Sequence, residues 1–307
     1  MFSLRLILSI LFSIDGLSSY FLSPGKEIFI NFFLKLQRLF NKKELFIIDL
    51  CVIKITFLGT GTSQGVPVIG SDHPVTFSKD SRDKRLRSSV LIEYKNISFT
   101  IDCGPDFRQQ MLRSKCSRLD AIIFTHEHAD HTSGIDDVRP FFFKQGNIPI
   151  YLTERVLESL TKRFEYIFNP KKKYPGAPSF DINLIENNKV FEISNLKIIP
   201  IETMHLKLPV LGYRINNFTY LTDVKNISKI ELNKIKGLDV LVINALRYEP
   251  HPSHLNVDEA LEIINLVKPK KTYFTHISHN MGFHEEVSKN LPKNVSLAYD
   301  GLVLELN

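Results

Sequence analysis

The stretch Thr125-His126-Glu127-His128-Ala129-Asp130-His131 follows the apolar run Ala121-Ile122-Ile123-Phe124 and leads into Thr132-Ser133-Gly134. The apolar run reads as a buried strand. Where the chain runs on extended, His126 and His128 project to one side, because strand side chains alternate with period two. Asp130 and His131 come after the chain begins to turn, so they aim at a second point close to the first. Imidazoles with a carboxylate suit zinc and its first-row neighbours. A solvated polar loop would accommodate any one of these residues. Converging three imidazoles and a carboxylate without a cation, however, wastes desolvation and sets the rings against each other once protonated.

The whole chain bounds the reading. Its 307 residues, 43% hydrophobic and 23% charged, are enough to bury a sizeable core in one large domain or two small ones. The net charge of +6 and pI near 9.0 would fit an anionic partner. Lys, Asn, Ile and Phe are abundant together, however, as an AT-biased coding sequence produces, so the charge is not taken as evidence for nucleic acid. Cys51, Cys103 and Cys116 offer neither an even-numbered framework nor a Cys-x-x-Cys pair, which points to a reducing, cytoplasmic setting. Residues 1–51 read as an N-terminal extension ahead of a domain over 52–307. The apolar run over 4–14 contains Arg5 and is too short for a membrane span; a peripheral anchor is the alternative for this region.

Periodicity predicts strands over 52–58, 89–94, 97–101, 119–125, 148–152, 196–201, 212–215, 218–221, 238–243, 271–275, 295–299 and 302–306. Helices are predicted over 107–114, 154–168 and 257–267, the last capped by Asn256 with Glu259 in the reciprocal position. The Pro-, Gly- and Lys-rich stretch 169–178, with Lys171, Lys172 and Lys173, is expected as an exposed loop near the active-site mouth. The glycine loop from Gly59 to Gly65 is a candidate phosphate cradle, with Gly61 a substrate-contact residue, although its spacing is no dinucleotide fingerprint. Arg85 or Arg87 could meet a substrate phosphate; a solvated charged loop is the plainer alternative. Asp102, at a strand end, is read either as a partner orienting a ligand histidine or as a turn aspartate. His205, Asp223 and His276 each follow a predicted strand.

The pattern at His126, His128, Asp130 and His131 resembles the metallo-β-lactamase superfamily of metal-dependent hydrolases. That resemblance implies an α/β fold, a four-layer αββα sandwich, and a ligand set in which His205, Asp223 and His276 match the superfamily's later ligands in order. The implied assignment gives one metal to His126, His128 and His205 and a second to Asp130, His131 and His276, with Asp223 bridging. The cofactors would be two divalent ions, zinc first and manganese as the alternative. Two cations roughly 3.5–4 Å apart can share a hydroxide and offset charge on a phosphoryl oxygen. His254, within Pro250-His251-Pro252-Ser253-His254-Leu255-Asn256, is the candidate proton donor and, with Asp130, makes up the catalytic pair.

Further segments resemble one branch, the phosphodiesterases that open phosphoribosyl cyclic phosphate. They are Leu58-Gly59-Thr60-Gly61, Gln64-Gly65-Val66-Pro67, Leu221-Thr222-Asp223, His254 ahead of its helix, Thr275-His276-Ile277-Ser278-His279 and Tyr299-Asp300-Gly301. The expected function is a dinuclear metal-dependent phosphodiesterase acting on a small cyclic phosphodiester, in a fold that often dimerises in related enzymes. The alternatives are a transfer-RNA 3′-end endonuclease, disfavoured because no long inserted arm is evident, and a non-catalytic metal-stabilised binding protein. One departure stands out. The branch usually carries a Cys-x-Cys-x-x-Cys cluster that joins the histidine matching His279 around a structural zinc, and here those positions read Ser71, His73 and Thr76. That site is expected to be lost or to bind weakly through His73 and His279, with packing holding the loop.

Overall fold

Ile53, Ile55 and Phe57 alternate along the first strand and bury one face between two sheets, while Leu58 turns to the opposite face. The computed structural model describes residues 52–306; the reading of residues 1–51 as an extension therefore lies outside the described residues. The first sheet holds β1 (Ile53–Gly59), β2 (Ser89–Tyr94), β3 (Ile97–Ile101), β4 (Ala121–Ile123), β5 (Ile148–Leu152) and β6 (Phe180–Leu184), with the final strand of the chain beside β1. The second is built from β7 (Phe191–Ile193), β8 (Leu196–His205), β9 (Leu208–Ile215), β10 (Phe218–Tyr220), β11 (Asn226–Ile227), β12 (Val240–Asn244), β13 (Lys271–Thr275) and β14 (Val295–Leu297), and β15 (Val303–Leu306) returns to the first. Each sheet is antiparallel on one side and parallel on the other, the parallel strands being β3 to β6 and β10, β12, β13 and β14.

Helices cover the outer faces. Phe107 and Met111 of α1 (Phe107–Ser114) pack on the outer face of the first sheet. After the short α2 (Ala129–Thr132) and α3 (Arg139–Gln145), Val156 and Leu160 of α4 (Glu154–Arg163) and Ile167 of α5 (Glu165–Phe168) join that layer. On the second sheet, α6 (Lys229–Lys234) is followed by α7 (Val257–Val267), which buries Val257, Ala260, Ile263, Ile264 and Val267 at helical spacing, and by α8 (His284–Asn290) with Val287 inward. The order of layers is helix, sheet, sheet, helix, the expected αββα sandwich. Among the described residues no helix is long and apolar enough to cross a membrane.

The sequence reading placed β2, β3, β5, β13, α1 and α7 at their observed bounds, including the Asn256–Glu259 capping box, whose two bonds are each 2.9 Å. Two corrections are needed. The single helix over 154–168 is two, broken at Phe164, whose φ of −123° and ψ of 49° cannot continue an α-helix. The strand over 196–201 runs on to His205, so that histidine ends a strand rather than following one. The loop over 169–178 is largely exposed, as expected, and its side chains pair locally: Lys172 with Glu165, Lys173 donating to Ser179, and Tyr174 stacking on Tyr166.

Candidate metal centre

Parallel strands end together at one edge of each sheet, and open α/β sheets bind ligands at such carboxyl ends. Past β4 the chain stays extended for His126 and turns at His128, the N-cap of α2, which lifts Asp130 and His131 on a helical turn. The expected geometry holds: the rings of His126 and His128 lie 4.6 Å apart, with His205 5.2 Å from His128 and 6.1 Å from His126. His131 stands 5.7 Å from His276 in a stacked pair. The ligand atoms of Asp130, His131, Asp223 and His276 all lie within 4.8 Å of one another, as do those of His205, Asp223 and His254. All seven expected ligands therefore meet at one place, with Asp223 in both groups.

Backbone conformation delivers three of these carboxylates and rings. Asp102 (φ 69°), Asp223 (φ 57°) and His276 (φ 53°) all adopt the left-handed region just past a strand. That region costs a non-glycine residue roughly 1 kcal/mol or more, and such residues concentrate at functional sites. Two glycines let the metal loop come close. A Cβ on Gly104 would stand 2.1 Å from the Asp130 carbonyl oxygen, and one on Gly134 2.1 Å from that of Gly104. Gly104→Ala is therefore expected to displace Asp130, costing roughly 1–3 kcal/mol of stability and lowering metal affinity. Thermal melts combined with metal titration check this, and wild-type values in both would refute it.

Three of the imidazoles have a second nitrogen held. His131 Nδ1–H donates to Asp102 Oδ2 at 2.6 Å, His205 Nδ1–H to the Ser253 carbonyl at 2.7 Å, and His126 Nδ1 lies 3.0 Å from Thr125 Oγ1. Asp102 also accepts the amide and hydroxyl of Thr125, so it fixes the His131 ring and is no plain turn residue. The Nε2 atoms of His126 and His131 are left buried without a hydrogen bond, an arrangement typical of metal-binding histidines. The charges agree. Burial opposes protonation of His131, yet Asp130, Asp223 and Asp102 raise its pKa well above the ordinary histidine range. Three carboxylates around one ring call for positive charge, and a divalent cation meets that demand with the donors present.

His254 lies at the centre of the cluster, its ring 4.4 Å from His205 and 4.9 Å from His276, with Nδ1 3.8 Å from Asp223 Oδ1. Burial, then the neighbouring His276, pushes its pKa down to about 2, so the ring is neutral. Sequence reasoning missed the supports: Thr62 Oγ1 3.1 Å from His276 Nε2, the Ser253 carbonyl, and buried Tyr213, whose hydroxyl donates to the Phe124 carbonyl at 2.6 Å across the two sheets.

The structure gives Gly61, Arg85 and Arg87 partners within the protein. Gly61 donates its N–H to Leu86 and accepts at its carbonyl from Ser88, while a Cβ would stand 2.8 Å from the Arg85 carbonyl oxygen. It is a close-approach glycine with both backbone groups already used. Arg87 is bound to Asp106 at 3.1 Å. Arg85 is buried, donating to Thr60 at 2.9 Å and to the Ala298 carbonyl at 2.6 Å. The loop beside it is held by hydrogen bonds as well as packing: His73 Nδ1 caps a 3₁₀ turn, Ser78 and the His284 amide donate to Asp83, and the rings of His73 and His279 stand 5.2 Å apart.

Burial, then the Arg85 guanidinium, holds His284 down at about 4. The folded protein thus binds this proton less readily than the unfolded chain, and stability should rise with pH between about 4 and 6.5. Melting temperatures across this range should climb more steeply for wild type than for His284→Gln; parallel curves would remove the effect.

A family model described as the beta-lactamase superfamily domain matches residues 98–277. The solved structure of a new diphosphatase from the PhnP family is 40% identical, covering 83% of this chain and 97% of its own, with a TM-score of 0.78. An octanoyltransferase of Porphyromonas gingivalis is 38% identical over 252 residues, 81% of this chain but 51% of its own length. A ribonuclease Z of Clostridioides difficile is 27% identical over 216 residues, 65% of this chain and 63% of its own. The chain thus spans about half to two thirds of the length of these two curated relatives. With the sandwich, the converged histidines and carboxylates and these matches together, the chain belongs to the PhnP family of the beta-lactamase superfamily, a group of metal-dependent hydrolases.

Proposed function

We propose that the chain is a dinuclear metal-dependent phosphodiesterase for a small, cyclic phosphodiester. The observation that carries this is Asp223, whose two oxygens lie 3.1 Å from His131 and 3.3 Å from His276 while it belongs to both ligand groups, so that it would help hold both cations. His126, His128 and His205 would hold one ion and Asp130, His131 and His276 the other, zinc being the choice that suits this donor set. Such ions supply Lewis acidity, polarising a phosphoryl oxygen and lowering the pKa of a water. Asp102, Ser253 and Thr125 keep the ligand rings turned toward the site. His254, with Nδ1 free of a hydrogen bond, would accept at that atom the proton that the attacking water gives up and return it to the departing alkoxide.

The basic stretches that would grip a long nucleic acid are occupied. Arg82 pairs with Asp80, Arg87 with Asp106 and Lys172 with Glu165, and no inserted arm is present among the described residues. This favours a small substrate over a transfer-RNA precursor, the substrate expected from the resemblance to ribonuclease Z. Among the described residues the octanoyltransferase similarity brings no activated thiol: Cys103 and Cys116 are free, and burial pushes both thiols up, away from the nucleophilic thiolate. Free thiols also fit a cytoplasmic setting. The test is hydrolysis by the metal-loaded protein of a five-carbon cyclic sugar phosphate against a 3′-extended transfer-RNA precursor. Preference for the sugar phosphate is expected, and preference for the RNA would move the function to RNA processing.

A further inference from the structure

Of the three histidines that would hold the first ion, His128 has the least support. The rings of His126 and His205 are held at a second nitrogen by Thr125 and by the Ser253 carbonyl, whereas no hydrogen bond reaches the ring of His128 among the described residues. Its place therefore depends on its backbone, at the N-cap of α2, where the Thr132 hydroxyl donates to its carbonyl at 2.7 Å. Two arginines of α4 hold this segment from outside. Arg163 Nη2 donates to the Glu127 carbonyl and to the Thr132 hydroxyl, each at 2.9 Å. Arg155 Nη1 donates to the Glu127 carboxylate at 2.7 Å, and its Nη2 donates to the Pro209 carbonyl.

The second of these arginines joins two ligand-bearing segments. Pro209 lies on β9 and pairs in register with Met204, the residue before His205. One planar guanidinium thus spans from the loop of His128 to the hairpin of His205, whose rings stand 5.2 Å apart. The Glu127 carboxylate depends on the same group, because its other oxygen, Oε2, is buried without a hydrogen bond. The ligands of the second ion are supported elsewhere. Asp102 holds His131 at 2.6 Å and Thr62 stands 3.1 Å from His276, and neither contact involves Arg155.

We propose that Arg155 is a positioning residue for the first ion: it fixes the separation of His128 and His205, and with it the affinity of that ion, while standing outside the ligand set. The proposal rests on the two-ion reading of the centre. Removing Arg155 has two effects of opposite sign. The loss of a positive charge favours cation binding at both positions, but the side chain is 37% exposed and solvent screens that effect. Releasing the hairpin from the loop weakens the first ion alone, by the roughly ten- to hundredfold typical of groups that orient metal ligands. The second effect is the larger.

The test titrates zinc into the full, metal-free chain against a chromophoric chelator. Wild type should show two binding events. Arg155→Met should weaken one of them roughly ten- to hundredfold and leave the other unchanged, with the metal-free chain melting close to wild type. Arg155→Lys, which can reach the carboxylate or the carbonyl but not both, should recover part of the loss. In a His205→Ala background, where the first ion has already lost a ligand, Arg155→Met should add little. Unchanged affinities, equal weakening of both ions, or a loss undiminished in the His205→Ala background overturns the proposal. Tightening of both ions would leave only the charge effect and overturn it equally. If wild type binds a single ion, the two-ion reading falls, and the response of that ion to Arg155→Met still decides whether Arg155 positions its ligands.

Discussion

Asp223→Asn is expected to empty the centre: metal content should fall from about two ions per chain to one or fewer, and turnover by roughly a thousandfold or more. The reason is the number of groups that share this carboxylate. It is 2% exposed, and its oxygens stand 3.1 Å from His131, 3.3 Å from His276 and 3.8 Å from His254. The amide keeps the size of the side chain and tolerates the left-handed φ of 57°, so the loss isolates charge and ligation from backbone strain. Asp223→Ala adds a cavity and an unfavourable backbone conformation, and should lose metal at least as completely. Metal content by atomic emission, with a thermal melt to check the fold, decides it. A folded Asp223→Asn protein with both ions in place would rule out the bridging role.

The centre was legible in the sequence where one segment carried several ligands, and where strand ends recurred in order. His126, His128, Asp130 and His131 lie within one short segment, so their convergence follows from local geometry alone. His205, Asp223 and His276 meet them only through the topology of two sheets, which spacing does not encode. Their order, matched to a known family, supplied that information. The supports were hidden for a physical reason. Ser253 acts through its carbonyl, which every residue has, and Tyr213 reaches Phe124 across the interface between sheets. Gly61, Arg85 and Arg87 were read toward substrate because a glycine loop followed by basic residues looks alike whether it faces a phosphate or packs on itself. Burial and the partners at Asp106, Thr60 and Ala298 distinguish the two. Strands β6 and β7 escaped because they are short: Phe180-Asp181-Ile182-Asn183-Leu184 and Phe191-Glu192-Ile193 do alternate, but over too few residues for the period to stand out.

His254→Ala is expected to retain both metal ions and lose roughly 10²- to 10⁴-fold in turnover on an alkyl phosphodiester, with little change in KM. The position of the ring allows two roles that metal retention alone does not separate. Its Nδ1 lies with His205 and Asp223 in a group that could itself ligate an ion, and it also faces the site without a hydrogen bond, as a proton carrier would. The leaving group separates them. An alkoxide must be protonated as it departs, whereas a nitrophenolate leaves without help, so a proton carrier matters far more for the first than for the second. If His254 moves the proton, the variant should cleave a nitrophenyl phosphodiester at close to the wild-type rate while failing on the alkyl ester. If it is a ligand, both substrates should lose rate together and metal content should fall with them. Equal loss on both esters, with metal released, would therefore assign His254 to ligation and leave the proton to another group.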